Sequence, residues 1–459
     1  MRLTVNEIVD FTNGELLTNN GGIVIESCVI DSRKASPNSM FVPFVGENVD
    51  GYSYIKSAIE KGCKCVLIES ERYLDKDLNC QFILVENNQS ALQKLAERYR
   101  EKLSTFVIGV TGSNGKTTTK DLVASIAKGK GKTLKTLGNL NNELGLPLMI
   151  LQCEPHHEIA VLEMGMSQLG EIDLLSKIGK PNVGIITNIG ESHLEHLKTK
   201  DNILKAKSEI FNHMSQDGVA IINGDDEYLK KIYSQLPRRI TYGLSKENDL
   251  CAYNITSYNH KTTFQVKGLG YDFSASIPLL GDHNVINSLA AIAVGHVLKL
   301  DEKLIIQGLV SPEMTSMRTE IINLRDDLVV INDCYNASET STLAALKVLK
   351  EYKGASGRKI AILGDMLELG DYSEEAHFNV GAFAASNNVS TIIAIGQFSG
   401  DILKGAQGQG FEGEMAKYKD SHEAARNIMH HIRQADTVLV KGSRGVKMEE
   451  IVAMIKEEF

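Results

Sequence analysis

From Thr105 onward the chain alternates short, wholly apolar runs with longer amphipathic ones. The runs at 105–110, 158–163, 182–188 and 217–222 have the length and all-round hydrophobicity of strands buried on both faces, and helical stretches of 10–15 residues separate them. That alternation predicts βαβ units and a parallel sheet covered by helices on both sides. The stretch 250–278 reads as further strand, followed by helices over 284–298 and 301–309. Ser311-Pro312 interrupts the pattern and a second series begins. Its strands fall at 320–324, 328–333, 358–363, 390–395 and 436–440, with helices near 339–351, 373–387, 421–433 and 446–457. Before Thr105 the texture is different: short strand-like runs at 23–25, 40–44, 65–68 and 82–85 mix with two helical patterns, 53–62 and 89–102. The expected fold is α/β in three domains, 1–104, 105–311 and 312–459.

Length agrees with that division, since 459 residues at ~150 per domain make about three. The 58 acidic side chains outnumber the 49 of Lys and Arg, a formal net charge of −9 that argues against a nucleic-acid protein resting on a broad basic surface. No apolar run approaches the ~18 residues of a membrane span, and the start, Met1-Arg2-Leu3-Thr4-Val5-Asn6-Glu7, lacks the apolar core of a signal peptide. A cytoplasmic protein is expected. The seven cysteines fit that compartment: they are scattered, and the one close pair, Cys63-Lys64-Cys65, does not match zinc spacing. Buried free thiols are the expectation, with a metal or redox site as the alternative.

The strongest chemical signal is Gly109-Val110-Thr111-Gly112-Ser113-Asn114-Gly115-Lys116-Thr117-Thr118, where an apolar strand runs through glycines and Lys-Thr into a helix starting near 116. Glycines let the backbone wrap a phosphate closely, and the helix start adds a positive dipole end. Lys116 would reach the β- and γ-phosphates, and the Thr117 hydroxyl would sit on Mg²⁺. Only two residues separate Gly112 from Gly115, so this is a variant of the usual loop. A guanine-reading Asn-Lys-x-Asp is absent, which removes the GTPase reading; a small-molecule kinase stays open on the loop alone.

Glu163 ends the strand 158–163, where a carboxylate can hold Mg²⁺ or face solvent. His193, in Thr187-Asn188-Ile189-Gly190-Glu191-Ser192-His193, falls at the same sheet edge one strand later. In the helix predicted over 201–213, Ile203, Ile210, Phe211 and Met214 form an apolar stripe that also contains Lys207. A lysine on a buried face must be neutralised, paired or modified, or else snorkel to the surface.

These motifs resemble the Mur ligases of peptidoglycan synthesis. The resemblance is carried by Thr111–Thr118, by Gly138-Asn139-Leu140-Asn141-Asn142-Glu143-Leu144-Gly145-Leu146-Pro147, and by Leu162-Glu163-Met164-Gly165 with Gly170-Glu171-Ile172. It continues through Asn188–Glu195, Ala206-Lys207-Ser208-Glu209-Ile210-Phe211, Asp282-His283-Asn284-Val285-Ile286-Asn287, Ala361–Gly370 and Val440-Lys441-Gly442-Ser443-Arg444. Asp31-Ser32-Arg33 and Phe44-Val45-Gly46-Glu47-Asn48-Val49-Asp50-Gly51 resemble the family's UDP-sugar-binding domain, so all three blocks are covered in order. The motif 138–147 is similar to that of the branch that adds D-alanyl-D-alanine. That branch usually continues Asn-Ala-Asn-Pro where this chain has Asn336-Ala337-Ser338-Glu339, which leaves the local loop contacts open. The Asp-Asn-Pro-Arg of the diaminopimelate-adding branch is absent.

The resemblance implies an ATP-dependent amide ligase. It would join D-alanyl-D-alanine to UDP-MurNAc-tripeptide through an acyl phosphate, with ATP and Mg²⁺ as cofactors and no nucleic-acid partner. It implies a UDP-MurNAc-peptide domain (1–104), a central P-loop ATP domain (105–311) and a C-terminal Rossmann-like domain (312–459) for dipeptide and part of the nucleotide. Lys116, Lys207 and His193 would be catalytic; Gly112, Asn114, Gly115, Lys116, Thr117, Thr118, Asn287, Arg318 and Asp333 would hold the nucleotide. Thr117, Glu163, His193 and Lys207 would hold metal, Lys207 as a carbamate. Ser32, Arg33, Asn139, Asn141, Asn142, Tyr335, Asn336, Lys441, Ser443 and Arg444 would hold the other substrates. A monomer is expected. Because every substrate is anionic while the chain is acidic, positive charge has to be local, at Lys116, Arg318, Lys441, Arg444 and the metals. The alternatives are a Mur-type ligase adding one amino acid, and a nucleotide-binding regulator without turnover.

Overall fold

Three large sheets follow one another along the chain, with a two-stranded pair of Leu3–Thr4 and Val24–Ile25 beside the first, in a computed structural model that describes every residue except Asn48, Pro237 and Asn259. Asn48 of the 44–51 run therefore lies outside the described residues. The first sheet has five strands in the order Glu15–Leu16, Gln81–Leu84, Cys65–Ile68, Ser39–Phe41, Ser27–Val29, parallel except for the first pair. A helix the apolar pattern did not predict, Val5–Thr12, precedes it. Thr4 and Glu7 cap it reciprocally, Glu7 Oε2 accepting from Thr4 N (2.8 Å) and Thr4 Oγ1 from Glu7 N (3.3 Å). Thr-x-x-Glu before an apolar residue is the signature that marks such a start.

The second sheet has nine strands, and its centre explains the site. The loop strand Phe106–Thr111 lies between Val183–Ile186 and Ile159–Glu163, parallel to both, with Glu163 opposite Val110 and Ile186 opposite Thr111. Three strand ends therefore open onto one edge. The helix Lys116–Ala127 has the predicted length, but later ones are shorter, with Glu171–Gly179, Leu194–Leu197 and Lys200–Ser208 in place of 10–15-residue segments. The helix expected to reach 213 gives way at Ser208 to a 3₁₀ turn, Glu209–Phe211. The stretch 250–278 forms three antiparallel strands, Leu250–Tyr258, Lys261–Gly268 and Tyr271–Ile277, which extend the sheet.

Alternating side chains of the central strands feed two cores. Val107, Ala160, Leu162 and Ile186 join the core that holds Met1, Leu3, Ile8 and Leu92 of the N-terminal block. Ile108, Val110, Val161 and Ile185 face the helices Lys116–Ala127 and Asp282–Val297. The six-stranded sheet, ordered Glu320–Asn323, Val329–Asp333, Thr437–Lys441, Lys359–Gly364, Thr391–Ile395, Glu414–Tyr418, has cores of its own on its two faces. No helix among the described residues is long and apolar enough to cross a membrane. All seven cysteines are free; Cys28 is half-buried and the others are buried. Burial pushes the thiols of Cys65, Cys153 and Cys334 up, which keeps them protonated and inert.

Candidate active site

The loop after Phe106–Thr111 is shaped by contacts that only glycine permits at two positions. A Cβ on Gly112 would stand 1.8 Å from Thr187 Oγ1, and one on Gly115, at φ 78°, 2.5 Å from Asn287 Oδ1. Asn188 holds the loop: its carbonyl accepts from Ser113 N (3.0 Å), its Oδ1 from Asn114 N (3.0 Å), and its Nδ2 donates to Asn114 O (3.0 Å). Gly115 starts the helix Lys116–Ala127 with no side-chain cap, so the first-turn N–H groups are left for an anion. Lys116 folds back to donate to Gly112 O (2.6 Å) and Ser113 O (3.1 Å). Burial lowers its pKa to about 8, Glu163 opposing the shift and Arg318 adding to it.

Across the sheet edge Glu163 is 3% exposed. Its Oε1 accepts from Asn141 Nδ2 (2.9 Å), while Oε2 is buried without a hydrogen-bond partner and has Lys120 Nζ 3.9 Å away. An orphaned carboxylate oxygen and the Thr117 hydroxyl lining the same cleft form a hard-oxygen donor set, which suits Mg²⁺ completed by substrate phosphates. Among the described residues no cluster of three His, Cys, Asp or Glu could hold a metal unaided. His193, at φ 66°, starts the short helix Leu194–Leu197, with Nδ1 2.5 Å from Glu368 Oε2. Burial lowers its pKa although Glu368 raises it. Lys207 is 1% exposed and makes no ion pair or hydrogen bond among the described residues. Burial, then the charge of Lys116, pushes its pKa well below the ordinary lysine value, which favours the neutral amine.

The C-terminal unit forms the opposite wall. Arg318 Nη2 donates to Thr117 Oγ1 (3.2 Å), and the guanidinium lies 4.1 Å from the centroid of the Tyr335 ring. Asp333 accepts from Thr319 N (3.0 Å) and from Lys441 Nζ (2.6 Å), and Lys441 also donates to Asn336 O (3.0 Å). Ser338 Oγ donates to Asn114 Oδ1 (2.9 Å), tying the unit to the phosphate loop. Asn287 is buried, with Oδ1 accepting from Thr119 Oγ1 (3.2 Å) and Nδ2 donating to Asn284 Oδ1 (3.2 Å).

Together these walls enclose a cleft of about 680 Å³ that gathers Asn114, Gly115, Lys116, Thr117, Thr118, Asn141, Asn142, Glu163, His193, Asn287, Arg318, Asp333, Tyr335, Asn336 and Lys441. Gly112, Asn139, Lys207, Ser32, Arg33, Ser443 and Arg444 do not line it. Ser32 and Arg33 form a 3₁₀ turn of the N-terminal sheet, where Arg33 pairs with Asp31 (2.8 Å). Ser443 is buried and braces a loop, accepting from Leu367 N (3.0 Å). The expected local positive charge holds at Lys116 and Arg318. Lys441 and Arg444 are instead engaged by Asp333, at the end of the strand Val329–Asp333, and by Glu449 (3.0 Å), at the start of the helix Glu449–Glu458. Three residues with work at this site drew no role from the sequence: Asn188, Glu368 and Lys120. Asn188 and Glu368 stand inside quoted motifs, and Lys120 shares the helix face of Thr117 and Lys116.

Family models match in three consecutive pieces. They are "Mur ligase family, catalytic domain" over 24–100, "Mur ligase middle domain" over 110–295 and "Mur ligase, glutamate ligase domain" over 317–444. The UDP-N-acetylmuramoyl-tripeptide–D-alanyl-D-alanine ligase of Bacillus subtilis (strain 168) is 39% identical over 453 residues, 98% of either chain. The enzyme of that name from Escherichia coli (strain K12) is 32% identical over 99% of this chain and 98% of its own. A crystal structure of MurF from Acinetobacter baumannii superposes with a TM-score of 0.89 at 31% identity, covering 100% of this chain and 99% of that one. The MurF ligase of Thermotoga maritima in complex with ADP gives 0.80 at 28%, covering 94% and 97%.

Proposed function

The chain belongs to the Mur ligase family, and on that premise we propose how its cleft divides the work. It is an ATP-dependent ligase of peptidoglycan synthesis that joins D-alanyl-D-alanine to UDP-N-acetylmuramoyl-tripeptide. The γ-phosphoryl group of ATP passes to the C-terminal carboxylate of the tripeptide and ADP leaves. The dipeptide amine then attacks the acyl carbon, phosphate departs, and the amine gives up a proton. The observation that carries the assignment of roles is the meeting, in one cleft, of the phosphate loop, the orphaned Glu163 oxygen and Arg318 from the facing unit.

Lys116 swings from the loop carbonyls to the β- and γ-phosphates, joined by the N–H groups of Gly115 to Thr118, while Arg318 closes on them from the other side. Thr117 and Glu163 would hold one Mg²⁺, with Asn141 fixing the Glu163 carboxylate, and His193 and Lys207 another. Mg²⁺, when bound, supplies the positive charge that lets a carboxylate and a phosphate approach each other. Lys207 serves as a carbamate: its neutral amine adds carbon dioxide, an N–C bond forms, and one proton is released. The N-terminal block holds the UDP-MurNAc portion, near Ser32 and Arg33. The C-terminal unit holds the dipeptide, with Lys441 released from Asp333 as ribose or peptide groups arrive; Asn139, Ser443 and Arg444 support that side. All these groups come from one chain, so a monomer suffices, and both nucleotide substrates belong to the cytoplasm.

Phosphate release with UDP-MurNAc-tripeptide tests the reading when D-alanyl-D-alanine, single amino acids or no acceptor amine are offered. Turnover is expected only with the dipeptide. Equal turnover with lysine or diaminopimelate would move the chain to a single-amino-acid branch, and none under any condition would make it a regulator. For Lys207, enzyme in isotope-labelled bicarbonate should show a carbamate carbon by NMR that Lys207→Ala lacks, together with a loss of activity that bicarbonate does not restore. A wild-type spectrum without that signal would remove the modification.

A further inference from the structure

Glu368 belongs to the C-terminal unit, yet its carboxylate lies on a residue of the central one. Oε2 is 2.5 Å from His193 Nδ1, which has no hydrogen-bond partner, the contact lying off the line of the ring N–H. The Glu368 carbonyl accepts from Glu195 N at 3.2 Å. Both residues in the contact hold left-handed backbone, φ 66° at His193 and 64° at Glu368. A non-glycine residue keeps that conformation where its surroundings fix it, and such sites cluster at functional positions.

The surroundings of Glu368 fix it through three successive residues. Asp365 accepts from Gln397 N (2.8 Å) and Phe398 N (3.0 Å), Met366 N donates to His377 Nε2 (2.9 Å), and Leu367 N donates to Ser443 Oγ (3.0 Å). Ser443 N in turn donates to Asp365 O (3.0 Å). Each partner sits on a different element of the C-terminal unit, so the carboxylate travels with that unit as a rigid body. It reaches His193 only when the two units are together.

We propose that Glu368 is a positioning residue that couples closure of the C-terminal unit to the imidazole of His193. When substrates complete closure, the carboxylate, here 2.5 Å from Nδ1 but off its N–H line, comes into line and accepts from Nδ1–H, which fixes the ring and its tautomer and leaves Nε2 as the free ligand. The two side chains are 47% and 20% exposed, so the pair contributes little to holding the units together. Its effect falls on orientation. The inference rests on the reading of His193 as a metal ligand.

Mn²⁺ serves as the probe, titrated by electron paramagnetic resonance into enzyme with a non-hydrolysable ATP analogue and UDP-MurNAc-tripeptide. His193→Ala should bind one fewer ion; an unchanged count would overturn the metal reading of His193 itself. Given that loss, Glu368→Ala should bind the affected ion about tenfold more weakly and lose kcat to a similar degree at unchanged KM for ATP. Glu368→Gln, which still accepts a hydrogen bond, should recover most of both. A fluorophore pair across the two units should report normal ligand-driven closure in Glu368→Ala. Wild-type Mn²⁺ affinity in that variant, or a failure to close, would overturn the positioning role, the latter by making Glu368 a strut.

Discussion

Lys116 is a cation kept, before substrate arrives, where its charge is disfavoured. Burial holds its pKa at about 8, below the ordinary lysine value, and its ammonium leans on two loop carbonyls. Phosphate oxygens stabilise the protonated form, so binding raises that pKa. Below about 8 the free enzyme already carries the proton and ATP affinity should be flat with pH. Above it, binding must take up a proton and affinity should fall by up to about tenfold per pH unit. Calorimetry in buffers of different ionisation heat checks this: proton uptake should appear only above that point and vanish in Lys116→Arg. Affinity that stays flat through the alkaline range would contradict the depressed pKa. The lysine itself was legible in the sequence because strand, glycines and helix start frame it in ten consecutive residues. Glu368 was not, because its work depends on a contact with His193 that lies 175 positions back in the chain.

At the scale of elements, the helix Glu339–Glu351 shows how a departure from a motif is absorbed. Ser338 caps it, its Oγ accepting from Ser341 N (3.4 Å), and Glu339 takes the first helical position. Asn and Pro fill those two places equally well, because Asn caps and the first helical N–H has no partner to lose. Glu339 adds what proline cannot, accepting from Tyr372 OH (2.5 Å) and Asn379 Nδ2 (3.1 Å). Ser338→Ala should cost about 1 kcal/mol in denaturant unfolding, whereas Ser338→Asn should stay within a few tenths. A loss for Asn as large as that for Ala would mean that the bond to Asn114, and not the cap, dominates. The elements the apolar pattern left out have physical causes. The strand Glu414–Tyr418 is at a sheet edge and only half-buried, so its alternation is faint. The helix Ser399–Gly408 carries three glycines that weaken it locally. Two neighbouring contacts explain that composition: a Cβ on Gly405 would meet Phe378 O at 2.0 Å, and one on Gly381 would meet Ile402 O at 1.8 Å. Tight packing against the helix Ser373–Ala385 outweighs propensity there.

Across the whole molecule the three units are joined unequally, and the inequality predicts which of them moves. The N-terminal block shares one apolar core with the central sheet and adds buried bonds, from Met1 N to Leu151 O (2.8 Å), Tyr99 OH to Cys153 O (2.8 Å) and Arg100 Nε to Gly179 O (2.9 Å). The C-terminal unit has separate cores, into which the central unit sends Leu280. Beside Leu280 the Tyr352 ring lies 5.3 Å from the ring of His260, and along the cleft the contacts are polar: Arg318 with Thr117, Ser338 with Asn114, Thr340 with Glu191 (2.9 Å) and Glu368 with His193. The linker is strapped at its start, where Asp121 accepts from Thr315 N (2.7 Å) and Lys135 Nζ (2.7 Å). Met317 and Thr319 then both take left-handed backbone, φ 61° and 50°, which is strained for a β-branched residue. The hinge therefore lies between Thr315 and Glu320, with Leu280 as the pivot and the Glu368 loop as the far rim. Polar rim contacts are weak and screened by salt, so ligands and not the protein alone should hold the units together. X-ray scattering in solution should give a smaller radius of gyration with an ATP analogue and UDP-MurNAc-tripeptide than without, and the ligand-free value should rise with ionic strength. A fluorophore pair between the N-terminal and central units should stay constant throughout, because their shared core does not part. A radius of gyration indifferent to both ligand and salt would place the closed arrangement in the fold itself, and the strain at Met317 and Thr319 would then serve shape and not motion.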